Sequence, residues 1–175
     1  MKVVVPLAPG FEEMETMAIV DVLRRGEVEV YLAGITEPPI ASARGVKVVP
    51  DISIDEVTDY DAVVLPGGNP GYMNLASDER VLKLVRDAHR VKKYVAAICA
   101  APSVLGKAGI MEGITATRYP GIDVIGAKYS DERIVRDGTI ITSQGPGTAI
   151  DFALLLVEIF VDKATSETVR KAILA

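Results

Sequence analysis

The sequence predicts a three-layer α/β sandwich, a mostly parallel sheet with helices on both faces, in one domain spanning residues 1–175. Three observations predict it. Near-continuous apolar runs rich in β-branched residues alternate with amphipathic stretches of helical period. That alternation is the signature of parallel strands covered on both sides. Three of the strands also end in loops of small residues, glycine and proline: "APGFEE", "PGGNPG" and "CAAP". In such sheets, sites gather at the carboxyl ends of strands.

The elements follow in order. "KVVVPLA" (2–8) reads as a buried strand, and "EEMETMAIVDVLRR" (12–25) as a helix ending at Gly26. "EVEVYLAG" (27–34) reads as a strand and "GVKVVP" (45–50) as a short edge strand. "DAVVLPGG" (61–68) is a strand running into a glycine turn. "SDERVLKLVRDAHRV" (77–91) starts a helix, with Ser77 as N-cap and Glu79 in the first turn. "YVAAI" (94–98) is a strand and "APSVLGKAG" (101–109) a short helix. "RIVRDGTIITS" (133–143) forms a hairpin turned at Asp137-Gly138. "GTAIDFALLLVEIFV" (147–161) is a long buried helix, and "ETVRKAILA" (167–175) docks on the core or on a neighbouring subunit. No internal repeat, low-complexity tract or linker interrupts the pattern.

Composition narrows the function classes. The net charge is −5, from 19 basic and 24 acidic residues, with no basic run and few aromatics, which argues against a nucleic-acid partner. No apolar stretch is long enough to span a membrane. The first apolar run is too short, and the following "FEEMET" too acidic, for a signal peptide. The single cysteine cannot form an internal disulfide, so a reducing cytoplasm is the expected compartment. Asn69, Asn74 and Gln144 are the only side-chain amides, a bias seen in thermophile proteins.

Cys99 falls in the turn between the strand ending at Ile98 and the helix starting near Ala101. That is the arrangement of a nucleophile elbow, in which small residues two positions away on each side, here Ala97 and Ala101, let strand and helix approach closely. The turn residue is often held in a strained backbone conformation. The helix N-terminus behind it lowers a thiol pKa, and its N–H groups can hold an oxyanion. The other reading is a packed cysteine acting as a small hydrophobe. On this fragment alone both stay open.

Glu15 adds a second feature. On a helical wheel Phe11, Ala18, Ile19 and Val22 surround it, whereas Met17, Asp21 and Arg24 lie opposite, Glu12 at the border and Glu13 toward solvent. A carboxyl on an apolar face tends to be protonated, and a protonated Glu can donate to a thiolate or act as general acid or base. Favourable placement near a helix N-terminus explains Glu12 and Glu13 better than Glu15. His89, the only histidine, lies before the Cys99 strand, at the opposite sheet edge, about 16 Å from the cysteine. A Cys–His protease within one chain is therefore disfavoured. One Cys and one His make no tetrahedral zinc site, so no metal is expected.

Four segments together carry a family resemblance: "GFEEMETMAIVDVLRR" (10–25), "DAVVLPGGNPG" (61–71), "AAICAAPSVL" (96–105) and "SQGPGTAIDFALLLVE" (143–158). The chain resembles the ThiJ/PfpI superfamily over nearly its whole length, most closely the branch of the Parkinson-disease-associated protein deglycase. The resemblance implies a flavodoxin-like fold and a homodimer. It implies that Cys99 is the reactive elbow cysteine and Glu15 its protonated partner. The N–H groups of Gly68 and Ala100 would form the oxyanion site, with Gly67 and Gly68 permitting close approach of their loop. Arg25, Arg44, Asn69 and Tyr119 would be pocket residues, the two arginines reading equally well as surface charge.

The implied activity is a cofactor-independent glyoxalase or deglycase acting on α-oxoaldehydes such as methylglyoxal, or on glycated protein. The alternative is a redox sensor or stress chaperone working through a Cys99 sulfinate, and the remoter one an intracellular protease. Protease-type relatives have His directly after the cysteine, where this chain has Ala100. The deglycase branch often has His before a pocket proline, where this chain has Tyr119 before Pro120. Gln144 stands where a family arginine is expected.

Overall fold

A computed structural model describes residues 1–175. The chain begins with β1 (Lys2–Leu7), α1 (Glu13–Arg25) and β2 (Glu29–Gly34). A two-stranded hairpin, β3 (Ile40–Ala41) and β4 (Lys47–Val48), precedes β5 (Ile52–Ser53) and β6 (Ala62–Leu65). Next come α2 (Gly71–Ser77), α3 (Glu79–Arg90), β7 (Tyr94–Ile98) and α4 (Pro102–Lys107). The last part holds β8 (Thr115–Ala116), β9 (Lys128–Tyr129), β10 (Ile134–Asp137) and β11 (Ile140–Ser143), then α5 (Ala149–Phe160) and α6 (Lys163–Ala172).

Seven strands form one sheet in the order β10-β11-β7-β6-β1-β2-β5. Every pair is parallel except the β10–β11 hairpin. From β1 the chain builds outward through β2 and β5, then returns to the other side of β1 with β6. The topological switch point therefore lies between β1 and β6, where connections leave in opposite directions and open a crevice at the strands' carboxyl ends.

The period of two along the strands divides the core between the faces. Val3, Val5, Val64, Ala96 and Ile98 pack under α1 and α5, against Ile19, Leu23, Phe152 and Leu156. Val4, Val63, Leu65, Val95 and Ala97 pack under α3 and α4, against Val81, Val85, Val104 and Leu105. Each of these buried valine, leucine, isoleucine and phenylalanine side chains contributes about 1.5–3 kcal/mol. The expected three-layer sandwich and the hairpin at Asp137-Gly138 are both present.

Several local expectations need correction. The second strand begins at Glu29, not residue 27, because Glu27 adopts φ +58° in the turn closing α1. The segment 45–50 is not an edge strand of the sheet: Lys47–Val48 pairs only with Ile40–Ala41, and β5 takes the edge. Ser77 does not cap α3. It ends α2, an unexpected helix, and donates to the Met73 carbonyl at 2.8 Å, while the Asp78 carboxylate accepts the Arg80 N–H. The C-terminal segment docks within the chain: Val169 is buried in the core and Ser166 donates to the Leu154 carbonyl at 2.7 Å.

Candidate active site

Three loops from neighbouring strands, β1, β6 and β7, meet at the switch-point edge. The β7 loop carries Cys99. Ser143 is in register with Ile98, and the next rung of that parallel ladder is the Cys99 N–H donating to the Ser143 carbonyl at 2.9 Å. There the chain breaks from the strand, with Cys99 at φ +65°. The Tyr119 N–H donates to the Cys99 carbonyl at 2.7 Å, so the residue is pinned on both sides of its strained φ. Ala97 and Ala101 are fully buried, as an elbow's close approach requires.

The β1 loop leads into α1 and carries Glu15, whose exposure is 0 %. Its Oε2 accepts the Gly67 N–H at 2.8 Å, and its Oε1 is buried without a hydrogen-bond partner. Glu12 is the N-cap, accepting the Glu15 N–H at 2.7 Å. Glu13, expected toward solvent, is half-buried, with Oε2 buried and unpartnered.

The β6 loop supplies the glycines. A Cβ on Gly67 would lie 2.8 Å from Glu15 Oε2 and 3.2 Å from the Cys99 sulfur, so this backbone is wedged between acid and thiol. Gly68 has φ +99°, and a Cβ there would lie 2.3 Å from the Glu12 nitrogen. Both positions exclude any side chain. The backbone N–H groups of Ala100 and Gly68 favour the charged form of the Cys99 thiol.

Burial pushes the Glu15 carboxyl up to about 7, against the lowering pull of the Gly67 N–H and the thiol. Burial and the Glu15 charge push the Cys99 thiol up to about 12, and the Ala100 and Gly68 N–H groups oppose this. The lowered thiol expected from the helix N-terminus alone is thus outweighed while Glu15 is ionised. A protonated Glu15 removes that repulsion and offers an O–H to sulfur. Acid and thiol therefore titrate as one unit.

The remaining residues spread around this centre. Tyr119 touches it through its backbone, and its half-exposed ring packs over Gly145. Asn69 is exposed on the glycine loop, and Arg44 is exposed on the segment whose Ala43 N–H bonds the Phe11 carbonyl. Arg25 is not brought to the site. It lies ten residues along α1 from Glu15, about 15 Å away, and pairs with Asp21 at 2.7 Å. Gln144 spends its amide on the Asp131 carbonyl at 3.0 Å. His89 lies in the last turn of α3, its carbonyl accepting the Lys92 N–H before the far end of β7.

Sequence reasoning missed Ser143 and Asn74. Ser143 holds the elbow through its carbonyl, and Asn74 donates to the Pro9 carbonyl at 2.8 Å, tying α2 to the β1 loop. Both bonds join segments far apart in the chain, so only the folded structure reveals either role.

The sequence profile of the DJ-1/PfpI family matches residues 1–159. The chain is 42% identical over 166 residues to the Parkinson disease protein 7 homolog of Danio rerio, covering 90% of this chain and 88% of that one. It is 37% identical to the glutathione-independent glyoxalase DJR-1.2 of Caenorhabditis elegans, covering 84% and 81%. The crystal structure of Drosophila melanogaster DJ-1beta superposes with a TM-score of 0.94 at 38% identity, over 99% of this chain and 97% of that one. With its elbow cysteine, its buried carboxyl and this profile over most of its length, the chain belongs to the DJ-1/PfpI family.

Proposed function

We propose that the protein is a cysteine-dependent, cofactor-independent glyoxalase of the deglycase type, converting α-oxoaldehydes such as methylglyoxal to hydroxy acids in protection against carbonyl stress. The observation that carries this reading is the Glu15–Gly67–Cys99 contact: a buried carboxyl able to be neutral at physiological pH beside a thiol faced by two N–H donors. The name of the Caenorhabditis elegans relative supports it.

The Cys99 thiolate adds to the aldehyde carbon, forming the C–S bond, and the former carbonyl oxygen takes a proton to give a hemithioacetal. The Gly68 and Ala100 N–H groups stabilise the oxyanion of that addition. Glu15, ionised after giving up its proton, removes the C1 hydrogen, and the proton is returned at C2, leaving a 2-hydroxy thioester. Water then cleaves the C–S bond, releasing the hydroxy acid and the thiol. The net change is addition of one water with C1 oxidised and C2 reduced, the hydrogen and its electron pair passing from C1 to C2, so no external oxidant or cofactor is needed. In the deglycase variant the C–N bond of a hemiaminal adduct breaks, the amine leaves with the hydroxyl proton, and the α-oxoaldehyde so released enters the same sequence.

Conversion of methylglyoxal to lactate tests this. Wild type turns over, and Cys99→Ala and Glu15→Ala lose at least about 100-fold. Equal rates in wild type and Cys99→Ala would sink the reading.

The two N–H donors and the neutral carboxyl also favour a second reading, a Cys99 sulfinate formed by two peroxide equivalents. Intact-mass analysis that gives sulfonate with no sulfinate plateau would refute it. The family resemblance points to a homodimer, with the exposed Met14 and Met17 of α1 as candidate contact residues, and light scattering checks the mass. The reactive free thiol suits a reducing compartment such as the cytoplasm.

A further inference from the structure

We infer that Glu12 is a positioning residue that fixes the Glu15 carboxyl and biases the negative charge of the Glu15–Cys99 pair toward sulfur. This rests on the reading of Cys99 as the nucleophile.

Three hydrogen bonds close a ring through Glu12. Its N–H donates to the Gly67 carbonyl at 3.0 Å, the Gly67 N–H donates to Glu15 Oε2 at 2.8 Å, and the Glu15 N–H donates to Glu12 Oε2 at 2.7 Å. The Glu12 carbonyl is also held, by the Thr16 N–H at 3.0 Å and the Thr16 hydroxyl at 2.7 Å. Gly68 leaves no room for a Cβ against the Glu12 nitrogen. One residue thus locks the glycine loop to the helix start and sets its own carboxylate against the backbone of the buried acid.

The residue type is informative. Ser, Thr, Asn and Asp are the ordinary N-caps, and Ser, Thr or Asn would satisfy the Glu15 N–H without a charge. A glutamate adds a negative charge beside a carboxyl that is fully buried. Repulsion between them disfavours the ionised Glu15, and Glu12 acts in that direction.

No other ionisable group opposes or duplicates it. From the β7–α4 turn Glu15 is faced by the Cys99 thiol, and from the β6–α2 turn by backbone N–H groups alone. Glu13 leaves α1 in a different direction, two positions before Glu15. On α5, packed against α1, Asp151 is paired outward with Arg133 and Arg170. Arg44 is exposed.

When the pair has lost one proton, the charge sits either on Glu15, leaving an inert thiol, or on sulfur, leaving a protonated carboxyl. Moving the proton from the thiol to the carboxylate changes no net charge, so the ratio of these forms does not depend on pH. Glu12 sets that ratio because its charge is fixed at the Glu15 end.

Glu12→Gln tests this. The amide oxygen still accepts the Glu15 N–H, so the cap survives and only the charge is lost. The carbon-13 signal of the Glu15 carboxyl, assigned by its loss in Glu15→Gln, is titrated alongside the iodoacetamide alkylation rate of Cys99. In Glu12→Gln the carboxyl midpoint moves down by at least about 0.3 pH unit and the alkylation rate on the plateau between its two titration steps falls about 2-fold or more. Glu12→Asp, which keeps the charge, restores both toward wild type. An unchanged midpoint, or an unchanged plateau rate, would overturn the inference. Failure of the parent reading shows separately, as methylglyoxal turnover that survives in Cys99→Ala.

Discussion

A Cβ on Gly67 would stand 2.7 Å from the Cβ of Cys99, closer than real Cβ contacts come. Gly67 is therefore the spacer that lets the β6 loop donate its N–H to Glu15 while lying against the thiol. Gly67→Ala must displace the carboxyl or the elbow. Overpacking of this kind costs about 1–3 kcal/mol, and urea denaturation should read that loss. Alkylation of Cys99 should change with it, because the moved groups are those that set the charge of the thiol. Wild-type stability in Gly67→Ala would show that the loop relaxes freely.

The Glu15 carboxyl gives folding stability a pH dependence. Its value in the folded protein is raised from 4.5 to about 7. Between those values the folded state holds a proton that the unfolded chain has released, so stability falls as pH rises. The contribution is full below about 4.5 and is lost through about 7, amounting to about 3 kcal/mol. Glu15→Gln carries no titrating group there and should flatten this fall. The check is the urea midpoint of both proteins from pH 4 to pH 8, after correction for global charge using a surface control such as Glu167→Gln. Parallel curves would mean that Glu15 is ionised without penalty.

The coupled pair predicts an unusual reactivity profile for the single cysteine. In wild type the alkylation rate climbs as the pair loses its first proton, levels off, and climbs again as the thiol is stripped while Glu15 is ionised, near the alkaline end set by its value of about 12. Glu15→Gln has one ionisable group at the site and should give one step. A single step in wild type would mean that the acid and the thiol do not share a proton.

The layers and the three meeting loops were legible in the sequence because both depend on short-range signals. Strand runs buried on both faces and the small residues at Ala97 and Ala101 do not need tertiary context to be read. Glu15 was legible for the same reason: a wheel shows that it lies on the apolar face. The electrostatics of Cys99 were not legible. The lowering effect of a helix N-terminus is local, whereas the opposing charge arrives from α1, 84 residues earlier in the chain, and burial is a property of the whole fold. Arg25 read equally as pocket residue or surface charge, because family position does not carry geometry; its place on α1 sets it at the end of the helix far from Glu15. Ser77 matched an N-cap pattern, but Asp78 is one residue nearer the first turn and its carboxylate is the stronger acceptor.

The strain at Cys99 can be measured by asking which small residue the elbow prefers. Its φ of +65° lies in the left-handed region, which costs a side chain about 1–2 kcal/mol and costs glycine nothing. The Ser143 carbonyl and the Tyr119 N–H hold the backbone there whatever the side chain. Cys99→Ala keeps the strain and Cys99→Gly relieves it, at the expense of the greater freedom of glycine in the unfolded chain, about 0.5–1 kcal/mol. Cys99→Gly should therefore be more stable than Cys99→Ala by up to about 1 kcal/mol, the reverse of the ordinary order at a strand end. Thermal and urea unfolding of the two variants decide it. If alanine proves the more stable, the elbow relaxes out of the left-handed region in the variants, and the strain belongs to the thiol's own contacts with Glu15, Gly68 and Ala100.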